Sequence, residues 1–363
     1  MRKLTTVEDL EAVVGTRPQA MMMKAIDALD EGSVRILAAS PLAGFGYRDD
    51  NGTPWSTITG GSPGFAHATS TGRIDFEIPR NRPAPSLGAA ISLVFLLPGI
   101  GETLRLTGAV AERSGVTLEV DMYEAWVHCA KCIHRSGLWD PYPNSTDPEA
   151  HPPPDPAGVS TDSPFGTPAM LDFLARAPFA MVTSWDRHGT SDTSPRGDRP
   201  GFIRILDHRT LAIPDRRGNR RTDTFHNLLE CDDIALCAVV PGRDEVLHLR
   251  GSAYVTDDAA LRESMALSQR PPHAALIIEV DVAELQPNEA IRNGHMWDAS
   301  RHVDPTSVPD LMALGAEHLA RSKEKGAKAS MTRVVSKRLA KNPGFLRKGV
   351  DRGYRKELEE EGF

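Results

Sequence analysis

The chain has 363 residues, of which 40% are hydrophobic and 25% charged, and its formal net charge is −7. This is the profile of a soluble globular protein long enough for two domains. No apolar run reaches the roughly 18 residues of a membrane-spanning helix, and four cysteines are too few for a disulfide scaffold.

The opening MRKLTTVEDLEAVVG lacks the apolar core and small-residue cleavage site of a secretory signal, so a cytoplasmic location is expected. VEDLEAVVG itself predicts a helix. PLAGFGYRDDNGTPWSTITGGSPGF (41–65) then reads as strand, turn, strand, with Asn51-Gly52 the strongest short hairpin signal. Near the end of this half stands HCAKCIHRSGLW (128–139). DPYPNSTDPEAHPPPDPAGVSTDSPFG (140–166), rich in proline and acid, predicts an extended, semi-rigid linker.

Beyond it the first half returns. PFAMVTSWDRHGTSDTSPRGDRPGF (178–202) aligns without a gap on 41–65, with nine of 25 positions identical. PGRDEVLHLRG (241–251) aligns on PGIGETLRLTG (98–108) with six of 11 identical, and IEVDVAE (278–284) matches LEVDMYE (118–124). Three landmarks in the same order describe two homologous domains. Each copy reads as about six short strands, which suggests a small barrel or sandwich. In the second copy TDTFHNLLECD and DDAALRESMALSQ predict extra helices. The expected division is 1–145 for the first repeat, 146–164 for the linker, 165–303 for the second repeat and 304–363 for a basic helical tail.

Charge follows this division. From Arg321 to Lys356 there are thirteen Lys/Arg and two Asp/Glu, leaving 29 basic and 47 acidic residues elsewhere. A body this acidic repels nucleic acid over most of its surface. The tail is expected to pack on that body with its charges paired or solvated, although a basic arm for an anionic membrane or a nucleic acid is the functional alternative.

IPDRRGNRRTD (213–223) stands out against this background. It gathers Arg216, Arg217, Arg220 and Arg221 around Gly218 and Asn219. Guanidinium forks bind phosphate oxygens bidentately, and Gly218 allows close backbone approach. Thr222 or Asp223 could cap the following helix, whose N–H groups would add to an anion site. On the residues alone, a solvated arginine loop remains open beside a phosphate grip. The first copy aligns IPRNRPAPS (78–86) here. It keeps Arg80 and Arg82, turns to proline, and is eight residues shorter between its landmark prolines. Its phosphate site is expected to be lost.

Cys129-Ala-Lys-Cys132, flanked by His128 and His134, raises a redox pair or half a zinc site. No second Cys-x-x-Cys follows, so no metal is expected. Cys231 and Cys237 read as core residues.

TSPRGDRPGFIRILD (193–207), TLAIPDRRGNRRTDTFHNLLE (210–230) and VHCAKCIHRSGLWDP (127–141) resemble the pyridoxamine-5′-phosphate-oxidase-like, FMN-binding split-barrel superfamily, here as a tandem fused repeat. The resemblance covers about 280 residues and omits the tail. It implies a mainly β, α+β chain of two split β-barrels forming an intrachain pseudo-dimer. It also implies that Arg220 and Arg221 grip an FMN phosphate, with Arg196 arriving from the neighbouring strand. In such proteins the flavin lies between paired barrels. One composite site is therefore expected, built from Arg196, Arg216, Arg217, Asn219, Arg220, Arg221 and Thr222 of the second barrel and Lys131, Arg135, Ser136 and Trp139 of the first. The activity implied is an FMN-dependent oxidoreductase of a small molecule. The alternatives are a non-catalytic flavin-binding protein and a haem-binding or haem-degrading split barrel. Further homodimerisation is compatible with the resemblance. His128, His134 and His226 are candidate acid–base residues that no pattern separates, so no catalytic residue is assigned.

Overall fold

The computed structural model describes residues 1–140 and 162–363. The expected linker lies outside the described residues, except for its last three positions. Two seven-stranded antiparallel sheets form the body. The first contains β1 (Leu42–Arg48), β2 (Pro54–Gly60), β3 (His67–Ser70), β4 (Arg73–Glu77), β5 (Ala90–Leu96), β6 (Thr103–Ser114) and β7 (Thr117–His128). The second contains β8 (Phe179–Trp185), β9 (Ser191–Gly197), β10 (Arg204–Ile205), β11 (Thr210–Pro214), β12 (Asp233–Val239), β13 (Glu245–Thr256) and β14 (Ala275–Pro287). Their strand orders, β3-β4-β7-β6-β5-β1-β2 and β10-β11-β14-β13-β12-β8-β9, are the same order written twice. The repeat in the sequence is thus a repeat of topology. The strand beyond the expected six is the shortest element, β10.

The copies share one irregularity of the ladder. β6 and β7 slip register at Thr107/Gly108, and β13 and β14 slip at the aligned Arg250/Gly251. A Cβ on Gly108 would lie 2.3 Å from the Asp121 carbonyl oxygen, and one on Gly251 would lie 1.9 Å from that of Glu279. Only glycine lets the strands close this tightly.

β1 explains how the sheets are joined. All but its last residue is buried, because both faces are covered. Ala43, Phe45 and Tyr47 enter the core of the first barrel, while Leu42 enters a separate seam with Phe179, Met181 and Val239 of the second. β8 divides likewise: Ala180 and Val182 face inward, Phe179 and Met181 the seam. Each large apolar side chain buried there contributes about 1.5–3 kcal/mol of transfer free energy. Polar links cross the seam too: Ser92 to Thr193 at 2.7 Å and Thr57 to His248 at 3.0 Å.

The chain ends cross between barrels. Helix α1 (Val7–Val14), capped by Thr6, buries Leu10 and Val14 in the core of the second barrel, although it precedes the first. Helix α9 (Leu311–Arg321) buries Leu311 and Leu314 in the core of the first. The tail continues as α10 (Ala327–Ala340) and α11 (Pro343–Glu361), helical as its composition suggests. Arg347 anchors α11 to the body through Glu102 at 2.6 Å and Asp310 at 2.9 Å. Among the described residues, no helix is long and apolar enough to cross a membrane.

Candidate functional site

The two closing motifs change sides. Helix α4 (Lys131–Ser136), from HCAKCIHRSGLW, packs on β9 of the second barrel. Its counterpart α8 (Glu289–Asn293) packs on β2 of the first. At the first crossing the backbones nearly touch: a Cβ on Gly197 would lie 2.0 Å from the Cys132 carbonyl oxygen.

Beside this crossing lies a cavity of about 840 Å³. Its wall holds ten Lys/Arg and six Asp/Glu, a formal excess of four positive charges on a chain of −7. Arg196, Arg216, Arg217, Asn219, Arg220, Arg221 and Thr222 line it from the second barrel, and Lys131 and Arg135 from the first. Ser136 and Trp139 do not line it. The Ser136 hydroxyl donates to the Ile133 carbonyl at 2.9 Å, closing its own helical turn. The Trp139 indole donates to the Ile100 carbonyl at 2.8 Å and packs near Trp297 and His302, on the apolar seam.

The arginines are held by carboxylates. Arg216 donates through Nε to Asp198 at 2.6 Å, and Arg196 through Nη1 to Asp215 at 3.1 Å. Arg221, whose side chain is 5% exposed, donates to Asp223 at 2.7 Å and to Glu124 of the first barrel at 3.1 Å. Its guanidinium lies 3.9 Å from the ring centre of Trp126, and Arg105 lies 4.7 Å from the same ring. The Asn219 side chain accepts from the Arg221 backbone N–H at 3.0 Å and fixes the loop. Among the described residues, the Arg217 and Arg220 side chains pair with no carboxylate.

The expected helix cap takes another form. The helix after the knot, α6 (Asp223–Leu228), is short. Thr222 sits at its N-cap in left-handed geometry (φ 52°) and makes no side-chain cap hydrogen bond. The Asp223 carboxylate is turned to Arg221 and Arg17. The guanidinium groups, rather than the helix end, therefore supply the positive charge.

Burial opposes the charge on Asp223, but Arg221 and Arg105 outweigh it and hold its carboxyl below the usual range. Burial raises the carboxyls of Asp192 and Asp215, and Arg105 and Arg196 respectively offset this only in part. Burial, reinforced by Arg105 and Arg221, drives His128 well below the usual histidine range, so it is neutral at pH 7. Burial also pushes the Cys132 thiol up to about 12, which leaves no nucleophilic thiolate there. Among the described residues, no group of three His, Cys, Asp or Glu is placed to hold a metal ion.

Several buried polar atoms on the cavity wall lack a partner: Arg105 Nε, Arg196 Nε, Arg221 Nη1 and His128 Nδ1. Orphaned guanidinium donors at one cationic wall suit a bound anion, since leaving them unmet costs roughly 1–3 kcal/mol each. The donor set therefore fits a phosphate-bearing ligand such as FMN.

The pseudo-symmetric position is built differently. Arg82 of the first barrel reaches Glu284 of the second at 3.1 Å, as Arg221 reaches Glu124. Glu284 and Glu124 are aligned in the repeat. Arg82, however, also contacts His248 at 3.0 Å and sits over Trp55. It fills its own site with protein contacts. The final glutamate of LEVDMYE and IEVDVAE was a visible signal for these cross-barrel pairs. Arg105, Asp215 and the acidic end of α11 carried none.

Residues 167–289 match the family described as Pyridoxamine 5′-phosphate oxidase. The second barrel is thus a domain of the pyridoxamine-5′-phosphate-oxidase-like split-barrel superfamily. No curated protein matches the chain. Among solved structures, HupZ of Group A Streptococcus is 21% identical, with 33% of this chain and 94% of that one covered and a TM-score of 0.29. A putative pyridoxamine 5′-phosphate oxidase from Lactobacillus delbrueckii is 16% identical, with 34% and 97% covered and a TM-score of 0.28. An F420 reductase is 14% identical, with 31% and 94% covered and a TM-score of 0.25.

Proposed function

We propose that the cavity binds one FMN per chain and that the protein is an FMN-dependent oxidoreductase of a small molecule. The observation that carries this reading is the set of orphaned guanidinium donors on one cationic wall, Arg196 and Arg221 from the barrel that matches the family and Arg105 from the other. Arg196, Arg216, Arg217, Arg220 and Arg221 would hold the phosphate. Asp198, Asp215 and Asp223 orient three of these side chains before any ligand arrives. Such preorganisation lowers the ordering cost of binding. When bound, FMN supplies the electron-transfer chemistry, while the protein binds, orients and excludes water. Trp126 backs Arg105 and Arg221 from behind the wall, the α4 crossing closes it, and neutral His128 offers a hydrogen bond without adding charge. Arg82 fills the pseudo-symmetric position, which supports one flavin rather than two.

The test is the absorbance spectrum of the purified protein, with released flavin quantified per chain and reduction assayed with NAD(P)H. One FMN per chain is expected. Two per chain, or retained binding after Arg220→Ala with Arg221→Ala, contradicts the composite site.

A further inference from the structure

The last turn of α11 ends on the cavity wall. Glu361 Oε2 accepts from Arg135 Nε at 2.7 Å, and Glu357 pairs with Lys131. Glu360 lies 3.5 Å from Arg270, and Arg199 donates to the Gly362 carbonyl. The Phe363 ring sits 5.9 Å from the Arg135 guanidinium and 5.3 Å from that of Arg199. Gly362, at φ 92°, packs where any Cβ would come within 2.1 Å of Ser268 Oγ. Near its start the helix is bolted to the first barrel through Arg347. Only its acidic end reaches the cations.

This seat is electrostatic and incomplete. Glu361 is buried, yet its Oε1 has no partner. A half-satisfied buried carboxylate stabilises its position weakly. Three of the six acids on the cavity wall, Glu357, Glu360 and Glu361, belong to this segment. Without them the wall's excess rises from four to seven positive charges.

We infer that Lys131, Arg135 and Arg270 form a carboxylate-binding station in the cavity, that residues 357–363 are its resident ligand, and that an anionic ligand must compete with this segment to enter. The inference shares with the flavin reading only the premise that the cavity takes an anion. It makes the segment a tethered competitor, so apparent affinity is reduced by the fraction of time the segment is seated.

The experiment compares the full chain with one lacking residues 357–363 and with Gly362→Val, which expels the segment without touching a cavity cation. FMN binding is titrated by fluorescence, and hydrogen exchange of amides 357–362 is followed with FMN or inorganic pyrophosphate. Loss of one buried charged contact corresponds to roughly ten- to a hundredfold in equilibrium. Both variants are therefore expected to bind FMN tighter by about that factor, and either anion is expected to speed exchange of 357–362 in the full chain. If FMN binds no form while pyrophosphate still releases the segment, the flavin reading fails and this inference stands. Equal or weaker FMN binding by both variants overturns it and makes the segment a wall of the site. Exchange unchanged by both anions overturns it as well.

Discussion

Arg221 makes the most exacting test of the site because one side chain serves the fold and the ligand together. It bridges Asp223 and Glu124, lies on Trp126, and keeps Nη1 buried without a partner. Replacing it with alanine leaves Asp223 buried with Arg17, 3.4 Å away, and Arg105 to offset its charge. Breaking a buried pair costs about 3–5 kcal/mol. Because Arg17 and Arg105 remain, the lower end, about 3 kcal/mol, is expected as an earlier urea midpoint. Arg221→Lys isolates the ligand term. An ammonium keeps one charge and one carboxylate contact but cannot present the planar fork or the Nη1 donor. A lost hydrogen bond to a charged group is worth about 1.5–3 kcal/mol, so FMN affinity should fall by roughly 10- to 150-fold while the urea midpoint moves little. Fluorescence titration with FMN and urea unfolding of the same three proteins separate the two effects. If Arg221→Lys binds FMN within about twofold of the parent, the orphaned donor is not aimed at the phosphate and the assignment of the knot is refuted.

Burial pushes His248 down to about 3, so the folded state keeps it neutral while the unfolded chain takes up a proton near the ordinary histidine value. Its contribution is present at neutral pH and is lost as pH falls from about 6.5 towards 3. His248→Gln should flatten the dependence of unfolding free energy on pH by about 1.4 kcal/mol per unit between pH 6 and 4, and an unchanged slope would contradict the burial argument. Gly44 leaves no room for a side chain, since its Cβ would meet Met181 Sδ at 1.7 Å. Gly44→Leu should therefore open the seam between barrels, read as faster proteolysis, while Gly52→Ala, whose Cβ meets nothing, should leave the seam closed. Cys132, buried with its thiol raised to about 12, should resist alkylation at pH 8 until the protein is unfolded; modification of the native protein at the rate of a free thiol would show the site to be open.

Much of the fold was legible because it is local or repeated. Asn51-Gly52 and Pro241-Gly242 dictate turns from their own backbone freedom, and Gly52 and Gly242 do take positive φ. The extra helix after the arginine knot followed from eight residues that the other copy lacks. Two of the expected site residues, Ser136 and Trp139, were carried along with their motif. Ser136 ends a six-residue helix and bonds back to its own turn, while Trp139 lies beyond that helix and packs on the seam.

By itself, the sequence determined the duplication, the turns, the loss of the knot from one copy and the choice of arginine where a planar fork is needed. These depend on neighbours in the chain or on comparing one half with the other. The tertiary structure alone decided that α1 joins the second barrel and α9 the first, that Glu124 and Trp126 brace Arg221 from the opposite barrel, and that the acidic end of α11 lies on Lys131 and Arg135. Those contacts join residues from about a hundred to more than two hundred positions apart. Burial and charge pairing set them in three dimensions, and no local pattern encodes which distant carboxylate will satisfy a given guanidinium.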